Sequence, residues 1–499
     1  MDVLAVLNWT LVIVCLVLAL TGLVPVVANF IMFAVIPFHA FVNHYGKAKP
    51  YLPRVAIVVP AWNEGAVIGA SIDRLMKLDY PLEALRIYVV DDASTDSTPD
   101  VVREKAALYP GNVVLLRREK GGEGKAHTLN HGIREILKDD WMEALLIMDA
   151  DVIYLPASLR RMTRHFADPE VGAVSAYIRE GSQDRNYLTK FIGVEYVLSQ
   201  PASRRAQNVL GAQACLAGGA QLHTRENLIA IGGQIDTSSL AEDTITTFET
   251  QLRGRRVVFE PHAEVLAEEP RQIEGLWKQR LRWARGNATV TSRYRKVWFR
   301  PSRNHHLGGV MFGLEWFSLW LLPVIMVASS IGLIGLLFLQ SEFATTVFRI
   351  LWISAALAFL FVLVLGSLTD TRTSKRAIGH IVLFPGIVNM LIMLTALFPP
   401  LMLVWLPGLF GATLSHTTLF VITLCVYIWV PVSMAVAWLA RKADQTRAGR
   451  WLAPALIYLA GYGSLLCAIT FDSYIKEFSH AEARWDKTEK IGRVAANQT

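Results

Sequence analysis

Long runs without a charged side chain constrain this chain more than any other feature. No Asp, Glu, Lys or Arg occurs over residues 3–46, 316–341, 350–369, 377–440 and 451–471. A helix of about 20 apolar residues spans the hydrocarbon core of a bilayer. Hydrophobic residues make up 53% of the chain, which is high for a soluble protein. The sequence therefore predicts an integral membrane protein.

The charge pattern also divides the chain into regions. We expect an N-terminal transmembrane anchor over residues 1–46, a polar domain with interfacial helices over 47–305, C-terminal transmembrane helices over 306–475 and a polar tail over 476–499. Within the third region, the apolar runs predict helices near residues 316–339, 345–368, 380–404, 417–440 and 451–472.

Basic residues predict the orientation in the membrane. Lys47, Lys49 and Arg54 follow the anchor, and segments 370–376 and 441–450 are rich in Lys and Arg. Because cytosolic loops carry such an excess, we expect a multi-pass protein of the plasma (inner) membrane with its polar domain in the cytosol. These flanks account for most of the net charge of +7, so we expect the lipid bilayer and no nucleic acid as a partner.

Both ends of the membrane region admit alternatives. The anchor is either one long span that continues along the surface or two spans broken near Pro25. A final span over 451–472 would leave the basic segment 484–493 outside, against the positive-inside rule. A re-entrant or surface-lying final segment would resolve that conflict.

Short apolar runs in the polar domain alternate with helical stretches. The runs cover residues 54–60, 85–92, 112–118, 144–151 and 171–177 and are rich in Val and Ile. Runs buried on both faces and separated by helices predict a doubly wound, mainly parallel sheet in an α/β domain. In such sheets ligands bind at the carboxyl ends of the strands.

Polar residues recur at these strand ends. They are Pro60, Asn63 and Glu64 after the first strand, Asp91 and Asp92 after the second, and Asp149 and Asp151 after the fourth. One such acid is commonly a turn residue, but three strand ends with acids on one rim indicate a site. The D-x-D pair suits Mg²⁺ or Mn²⁺, which would itself bind a diphosphate.

In the loop over 120–132, glycines permit close backbone approach, and Lys125 at a helix start is a candidate phosphate or sugar contact.

The ordered motifs resemble those of the membrane-embedded, processive family 2 glycosyltransferases, which include cellulose, chitin, hyaluronan and poly-N-acetylglucosamine synthases. The motifs are Asp91-Asp92, Asp149-Ala150-Asp151, Ala241-Glu242-Asp243, and Q-x-x-R-W at Gln279, Arg282 and Trp283. The resemblance implies a GT-A-type, Rossmann-like catalytic domain joined to an all-α transmembrane bundle. It also implies inverting transfer from a UDP-sugar with Mg²⁺ or Mn²⁺.

The resemblance assigns roles to individual residues. Asp243, beside Glu242, would be the general base, Asp92 would contact uridine, Asp149 the donor, and Asp151 the metal and diphosphate. Relatives usually begin the third motif with Thr, and Ala241 lacks that hydroxyl. The segment 215–221, which contains Gly218, would border the acceptor sugar, although its glycines also suit a plain turn. The segment 180–206 reads as a helix, either in the core or at the membrane surface.

Helical spacing places the three residues of the last motif on one face of a helix. Gln279, Arg282 and Trp283 fall at i, i+3 and i+4 and share one face, which would leave Arg280 pointing elsewhere. Arg282 would pair with the diphosphate, Trp283 would stack on the acceptor sugar, and Gln279 would hydrogen-bond donor or acceptor. The other basic residues of this run, Lys278, Arg280 and Arg285, would contact the membrane surface.

Three functions are compatible with these patterns. The first is a processive synthase that polymerises a UDP-sugar, UDP-GlcNAc or UDP-Glc, into a β-linked polysaccharide and exports it through its own helices. The second is a non-processive transferase that acts on a lipid-linked acceptor. The third is a transporter or channel with a nucleotide-sensing domain. No residue in the sequence identifies the sugar.

Overall fold

The computed structural model describes residues 3–182, 185–411 and 413–481, which form two compact units. The sheet unit comprises Ala34–Arg271 and Arg285–Gly313, and the helical unit comprises the chain up to Phe33, Gln272–Ala284 and Leu314–Ala481. Most of the predicted tail lies outside the described residues.

The chain begins with two apolar helices, α1 (Val3–Leu20) and α2 (Leu23–Ala34). The helices are interrupted at Thr21 and Gly22, so the break precedes Pro25. A proline in the first turn of a helix is tolerated because its missing N–H would have no helical partner there. By length and composition, Val3–Lys47 counts as a single candidate membrane segment.

Eight strands of the sheet unit form one mixed sheet. They are β1 (Val55–Ala61), β2 (Leu85–Asp91), β3 (Val113–Arg117), β4 (Ala144–Met148), β5 (Ile153–Tyr154), β6 (Val171–Glu180), β7 (Ala220–Thr224) and β8 (Arg256–Ala267). The order is β3-β2-β1-β4-β7-β6-β8-β5. Strands β1 to β4 pair in parallel, as do β6 and β8, whereas β7 is antiparallel to both its neighbours and β5 is antiparallel to β8. The α/β fold and all five predicted strands are confirmed.

Helices cover both faces of the parallel strands. The next helices are α3 (Asn43–Lys47), α4 (Ile68–Leu75), α5 (Thr98–Leu108), α6 (Lys125–Ile136), α7 (Ser158–Thr163), α8 (Tyr187–Val197), α9 (Ser203–Leu210), α10 (Arg225–Ala230), α11 (Glu242–Leu252) and α12 (Ile273–Arg293). Alternate residues of β1 face opposite sides: Ile57 joins the core with Ile72 of α4, and Val58 joins the core with Leu129 of α6. The carboxyl ends of these strands therefore stay open at one edge, with both faces buried.

The C-terminal part of the chain is entirely helical where it is described. Its helices are α13 (Val310–Trp320), α14 (Leu322–Phe338), α15 (Phe343–Thr369), α16 (Thr371–Arg376), α17 (Ile378–Val382), α18 (Ile387–Leu397), α19 (Leu406–Leu409), α20 (His416–Asp444), α21 (Gly449–Ala460) and α22 (Tyr462–Phe478). Helix α14 lies close to α1 because Gly332 and Gly335 carry no side chain. A Cβ on Gly332 would lie 2.3 Å from the Ala19 nitrogen. Small residues serve this purpose in membrane helices.

Several of the predicted spans are bent rather than straight. In the described residues, α15, α20 and the segment Val3–Lys47 are long and apolar enough to cross a bilayer. Three further spans exist only if each bent pair counts as one. The bend is 73° between α13 and α14, 108° after α18 and 94° between α21 and α22. The predicted helices near 316–339, 380–404 and 451–472 are therefore each interrupted.

Candidate active site

The loops after β1 and β2 form one wall at the carboxyl edge of the sheet. Asn63 adopts a left-handed backbone conformation, φ 53°, which asparagine tolerates better than most residues. Its N–H donates to Ser94 Oγ at 2.9 Å, and its Oδ1 accepts the Thr95 N–H at 2.9 Å. The Glu64 N–H donates to Thr98 Oγ1 at 2.8 Å. The predicted residues Asn63 and Glu64 thus lie in a loop held against the residues that follow Asp91 and Asp92, whereas Pro60 still belongs to β1.

Both aspartates of the first motif are buried and paired with arginines. Asp92 contacts Arg118 and accepts the Gly122 N–H at 2.9 Å, while Asp91 lies 3.2 Å from the Nε of Arg117. Buried carboxylates require such partners, because the cost of removing an unpaired charge from water is large. Asp92 therefore holds the glycine-rich loop that leads into α6.

These two arginines are functional candidates that the sequence reasoning missed. Arg117 ends β3 and Arg118 follows it, so they occupy the same edge as the predicted acids. The rule that selected residues after the first, second and fourth strands would also have selected them after the third. Arg117 and Arg118 add positive charge to an edge where the sequence analysis had predicted mainly carboxylates.

Lys125 connects the acids of two motifs. Its ammonium group forms an ion pair with Asp149 and donates to the Gly218 carbonyl oxygen at 3.0 Å. Burial alone would lower the pKa of Lys125, but the nearby carboxylates of Asp149, Glu242 and Asp243 outweigh it and raise the pKa. Lys125 is therefore a cation at neutral pH, close to acids from two of the predicted motifs.

Asp243 lies at the start of α11, facing the glycine turn that precedes β7. Its Oδ1 accepts the Thr244 N–H at 2.7 Å. A Cβ on Gly218 would lie 3.0 Å from Asp243 Oδ2, and a Cβ on Gly219 would lie 3.0 Å from Asp149 Oδ2. The two glycines thus allow both carboxylates to approach the same turn.

The absence of a hydroxyl at Ala241 has a visible structural consequence. Ala241 is the N-cap of α11 and provides no side-chain capping hydrogen bond. Its methyl group is buried against α12, where a Cβ on Gly286 would lie 2.5 Å from the Ala241 Cβ. The close approach of residues 241 and 286 therefore requires a small side chain at 241 and none at 286.

The acids suit a divalent cation only if the substrate completes its coordination. Within the described residues, no three His, Cys, Asp or Glu side chains converge into a metal-binding group. Asp149 and Asp151 are two carboxylates at one turn after β4. Mg²⁺ is commonly bound by one or two carboxylates together with substrate phosphates, so this donor set fits a metal that arrives with a diphosphate.

The Q-x-x-R-W residues lie in the first half of α12, within the helical unit. Gln279 is buried, and Trp283 is 39% exposed. The prediction for Arg280 was wrong: it is 6% exposed rather than free at a membrane surface. Its guanidinium donates to Gln279 Oε1 at 2.5 Å and lies 4.0 Å from the centre of the Trp283 ring. Residues 280 and 283 are three apart, so they share a face as fully as 279 and 282 do.

The first half of α12 also forms hydrogen bonds to other helices of the helical unit. Glu274 forms two hydrogen bonds with Arg441 of α20, at 2.7 and 3.0 Å. The Trp277 indole N–H donates to Asp472 of α22 at 2.8 Å, and Arg441 lies 4.5 Å above the Trp277 ring. Glu274, Trp277 and Arg280 therefore have specific partners.

Comparison with known proteins finds similarity over the region that contains the predicted site residues. Residues 53–286 match the family model described as Glycosyltransferase like family 2. The chain is 29% identical over 334 residues to the probable glycosyltransferase YdaM of Bacillus subtilis, covering 65% of this chain and 77% of that protein. The matched range includes every predicted site residue from Pro60 to Trp283.

Two further relatives carry more specific names. The chain is 31% identical over 249 residues to the beta-monoglucosyldiacylglycerol synthase of Synechocystis sp., covering 50% of each protein. It is 28% identical over 243 residues to the poly-beta-1,6-N-acetyl-D-glucosamine synthase of Staphylococcus aureus, covering 48% of this chain and 56% of that protein. The chain thus spans about half the length of these two relatives.

Proposed function

We propose that this enzyme is a processive, inverting synthase, because residues 53–286 match the glycosyltransferase family 2 model. It polymerises sugar from a UDP-sugar, UDP-GlcNAc or UDP-Glc, into a β-linked polysaccharide and exports the product across the membrane. One observation carries the proposal: Lys125 holds Asp149 beside the glycine turn that Asp243 also approaches. Donor-side and acceptor-side carboxylates therefore meet at one turn.

The proposed reaction is a single displacement. Asp243 accepts the proton of an acceptor hydroxyl, whose oxygen attacks the anomeric carbon of the donor sugar. The new glycosidic bond forms as the bond from that carbon to the diphosphate breaks, and UDP leaves with the electron pair. One displacement inverts the anomeric carbon, so an α-linked donor yields a β-linked product.

The chain's own cations assist the departure of UDP. Arg282 is suited to pair with the diphosphate, and Arg117 and Arg118 supply charge at the sheet edge. A divalent cation held by Asp151 and Asp149 would neutralise charge that develops on the leaving diphosphate. Trp283 offers a partly exposed ring for the acceptor sugar.

The membrane helices support the export step. A polysaccharide cannot cross hydrocarbon unaided, because its hydroxyl groups would lose their hydrogen bonds to water. The described chain offers three apolar helices of spanning length and up to three bent pairs. The similarity to a poly-N-acetylglucosamine synthase favours a polymer as the product.

A second candidate function rests on the other named relative. The 31% identity to a beta-monoglucosyldiacylglycerol synthase favours transfer of one sugar to a lipid acceptor. The two products differ in size and solubility. A high-mass, water-soluble glycan supports the synthase, whereas one sugar on a solvent-extractable lipid supports the alternative.

The catalytic assignment is tested with the full chain in membranes supplied with Mg²⁺ or Mn²⁺ and a panel of UDP-sugars. We expect Asp243→Asn to abolish product formation while binding of UDP persists, because the amide cannot accept the acceptor proton. The matched control is Asp140→Asn, an acid 98% exposed on the same domain. Transfer by Asp243→Asn at the unmodified rate would refute the assignment.

A further inference from the structure

One buried hydroxyl joins the turn at residues 215–219, called here the acceptor turn, to the helix of Asp243. Thr247 is fully buried on α11, one helical turn after Asp243. Its Oγ1 donates to the Asp243 carbonyl oxygen at 2.6 Å and accepts the Leu216 N–H at 2.7 Å. The acceptor turn and the helix thus share one side chain.

The acceptor turn is held from three sides. Besides Leu216, the Ala217 N–H donates to Ser175 Oγ of β6 at 3.1 Å, and the Gly218 carbonyl oxygen accepts from Lys125 at 3.0 Å. Ser175 is itself fixed by the Arg204 guanidinium, which donates to its Oγ at 2.8 Å. Each of three consecutive turn residues is therefore bonded to a different element, in contrast to the usual mobility of such connections.

The neighbouring threonine provides a contrast. Thr246 is buried, and its hydroxyl donates to the Glu242 carbonyl oxygen at 2.7 Å. That bond is the same backward helical bond that Thr247 makes. In the described residues the Thr246 hydroxyl receives no N–H from the acceptor turn, so of these two neighbouring threonines Thr247 alone bridges the two elements.

We propose that Thr247 is a positioning residue that fixes the acceptor turn relative to the Asp243 carboxylate. This inference rests on the function proposed above. Gly218 approaches Asp243 so closely that a Cβ on this glycine would lie 3.0 Å from Asp243 Oδ2. A shift of the acceptor turn would therefore change the space around the Asp243 carboxylate. Without the Thr247 oxygen, the buried Leu216 N–H loses its acceptor, and the turn must move to find another.

The test compares three variants of the full chain. Thr247→Val removes both hydrogen bonds at similar volume, Thr247→Ser retains the hydroxyl, and Thr246→Val is the matched control. We expect Thr247→Val to lower kcat for transfer to acceptor about 10- to 100-fold, with the donor KM and donor hydrolysis changed less than about twofold. Thr247→Ser should restore transfer, and Thr246→Val should leave it unchanged.

A second readout does not depend on activity. Hydrogen–deuterium exchange of the peptide that contains residues 213–220 should accelerate in Thr247→Val and stay unchanged in Thr246→Val. Equal loss of transfer and donor hydrolysis, equal loss in both valine variants, or unchanged exchange would overturn the positioning role. If the unmodified protein transfers no sugar, the proposed function fails as well. If it transfers sugar and Thr247→Val matches it, only the positioning role fails.

Discussion

Lys125 contacts Asp149 of one motif and lies near Glu242 and Asp243 of another. The Lys125→Met variant removes this cation. We expect transfer to fall about 100-fold, because charge-assisted contacts at such a site contribute a few kcal/mol. Initial rates of UDP release measure the effect.

The control for this variant is Lys138→Met, which removes an exposed lysine paired with Glu135 shortly after the same helix. Its rate should match that of the unmodified protein. Transfer by Lys125→Met at the unmodified rate would contradict the proposed role of this cation.

At this scale the rule that parallel sheets bind ligands at their strand ends selected residues that the fold brings together, such as Asp149 and Lys125. It could not reveal that Lys125 meets three acids, since β4, the acceptor turn and α11 are brought together only by the fold. Arg280 was misassigned for a different reason. The i, i+3, i+4 rule selected one triplet, although the same rule also pairs residue 280 with Trp283.

Among the elements, the contact between α11 and α12 determines where the proposed base lies. Alanine is usually preferred over glycine within a helix by about 1 kcal/mol. At Gly286, however, a Cβ would lie 2.5 Å from the Ala241 Cβ and 3.2 Å from its backbone nitrogen. A backbone neighbour cannot move aside by a rotamer change, so overpacking at about 1–3 kcal/mol should exceed the helical gain. We expect Gly286→Ala to lower the thermal midpoint and to reduce transfer more than tenfold.

The matched control is Gly46→Ala, because a Cβ at that glycine meets no atom within 4 Å. Its thermal midpoint and rate should be unchanged, as read by thermal unfolding in detergent and by UDP release. A Gly286→Ala protein that is more stable than the unmodified chain would show that helical propensity outweighs the contact.

Elements with a uniform pattern were predictable and irregular ones were not. The predicted strands are continuous apolar runs, whereas β8 includes charged residues and β5 has only two residues. The breaks in the apolar helices carry no charge that would mark them. At the bend between α21 and α22 the signal is glycine, because Gly461 has φ 93° and a Cβ there would lie 2.0 Å from the Pro385 carbonyl oxygen. The bend after α18 instead falls at Pro399 and Pro400.

For the molecule as a whole, the positive-inside rule leads to a specific topology. Segments 370–376 and 441–450 should face the cytosol, and the connections before α15 and before α20 should face the opposite side. Single cysteines test this in a background without the four natural ones. Lys375→Cys and Arg447→Cys should react with an impermeant maleimide only in inside-out vesicles, and Glu342→Cys and Thr413→Cys only in intact cells. The reverse pattern would invert the topology.

The last two helices decide on which side the described chain ends. Helix α21 has 12 residues, about 18 Å at the helical rise, which is too short for a hydrocarbon core of about 30 Å. The chain then turns by 94°, and Asp472 of α22 lies 4.0 Å from Arg441, a residue of the basic segment 441–450. Since Arg441 should face the cytosol, we predict that α21 and α22 together form a re-entrant segment that returns to that side. Ser479→Cys should therefore be labelled in inside-out vesicles and protected in intact cells, and labelling in intact cells would instead require a complete final crossing.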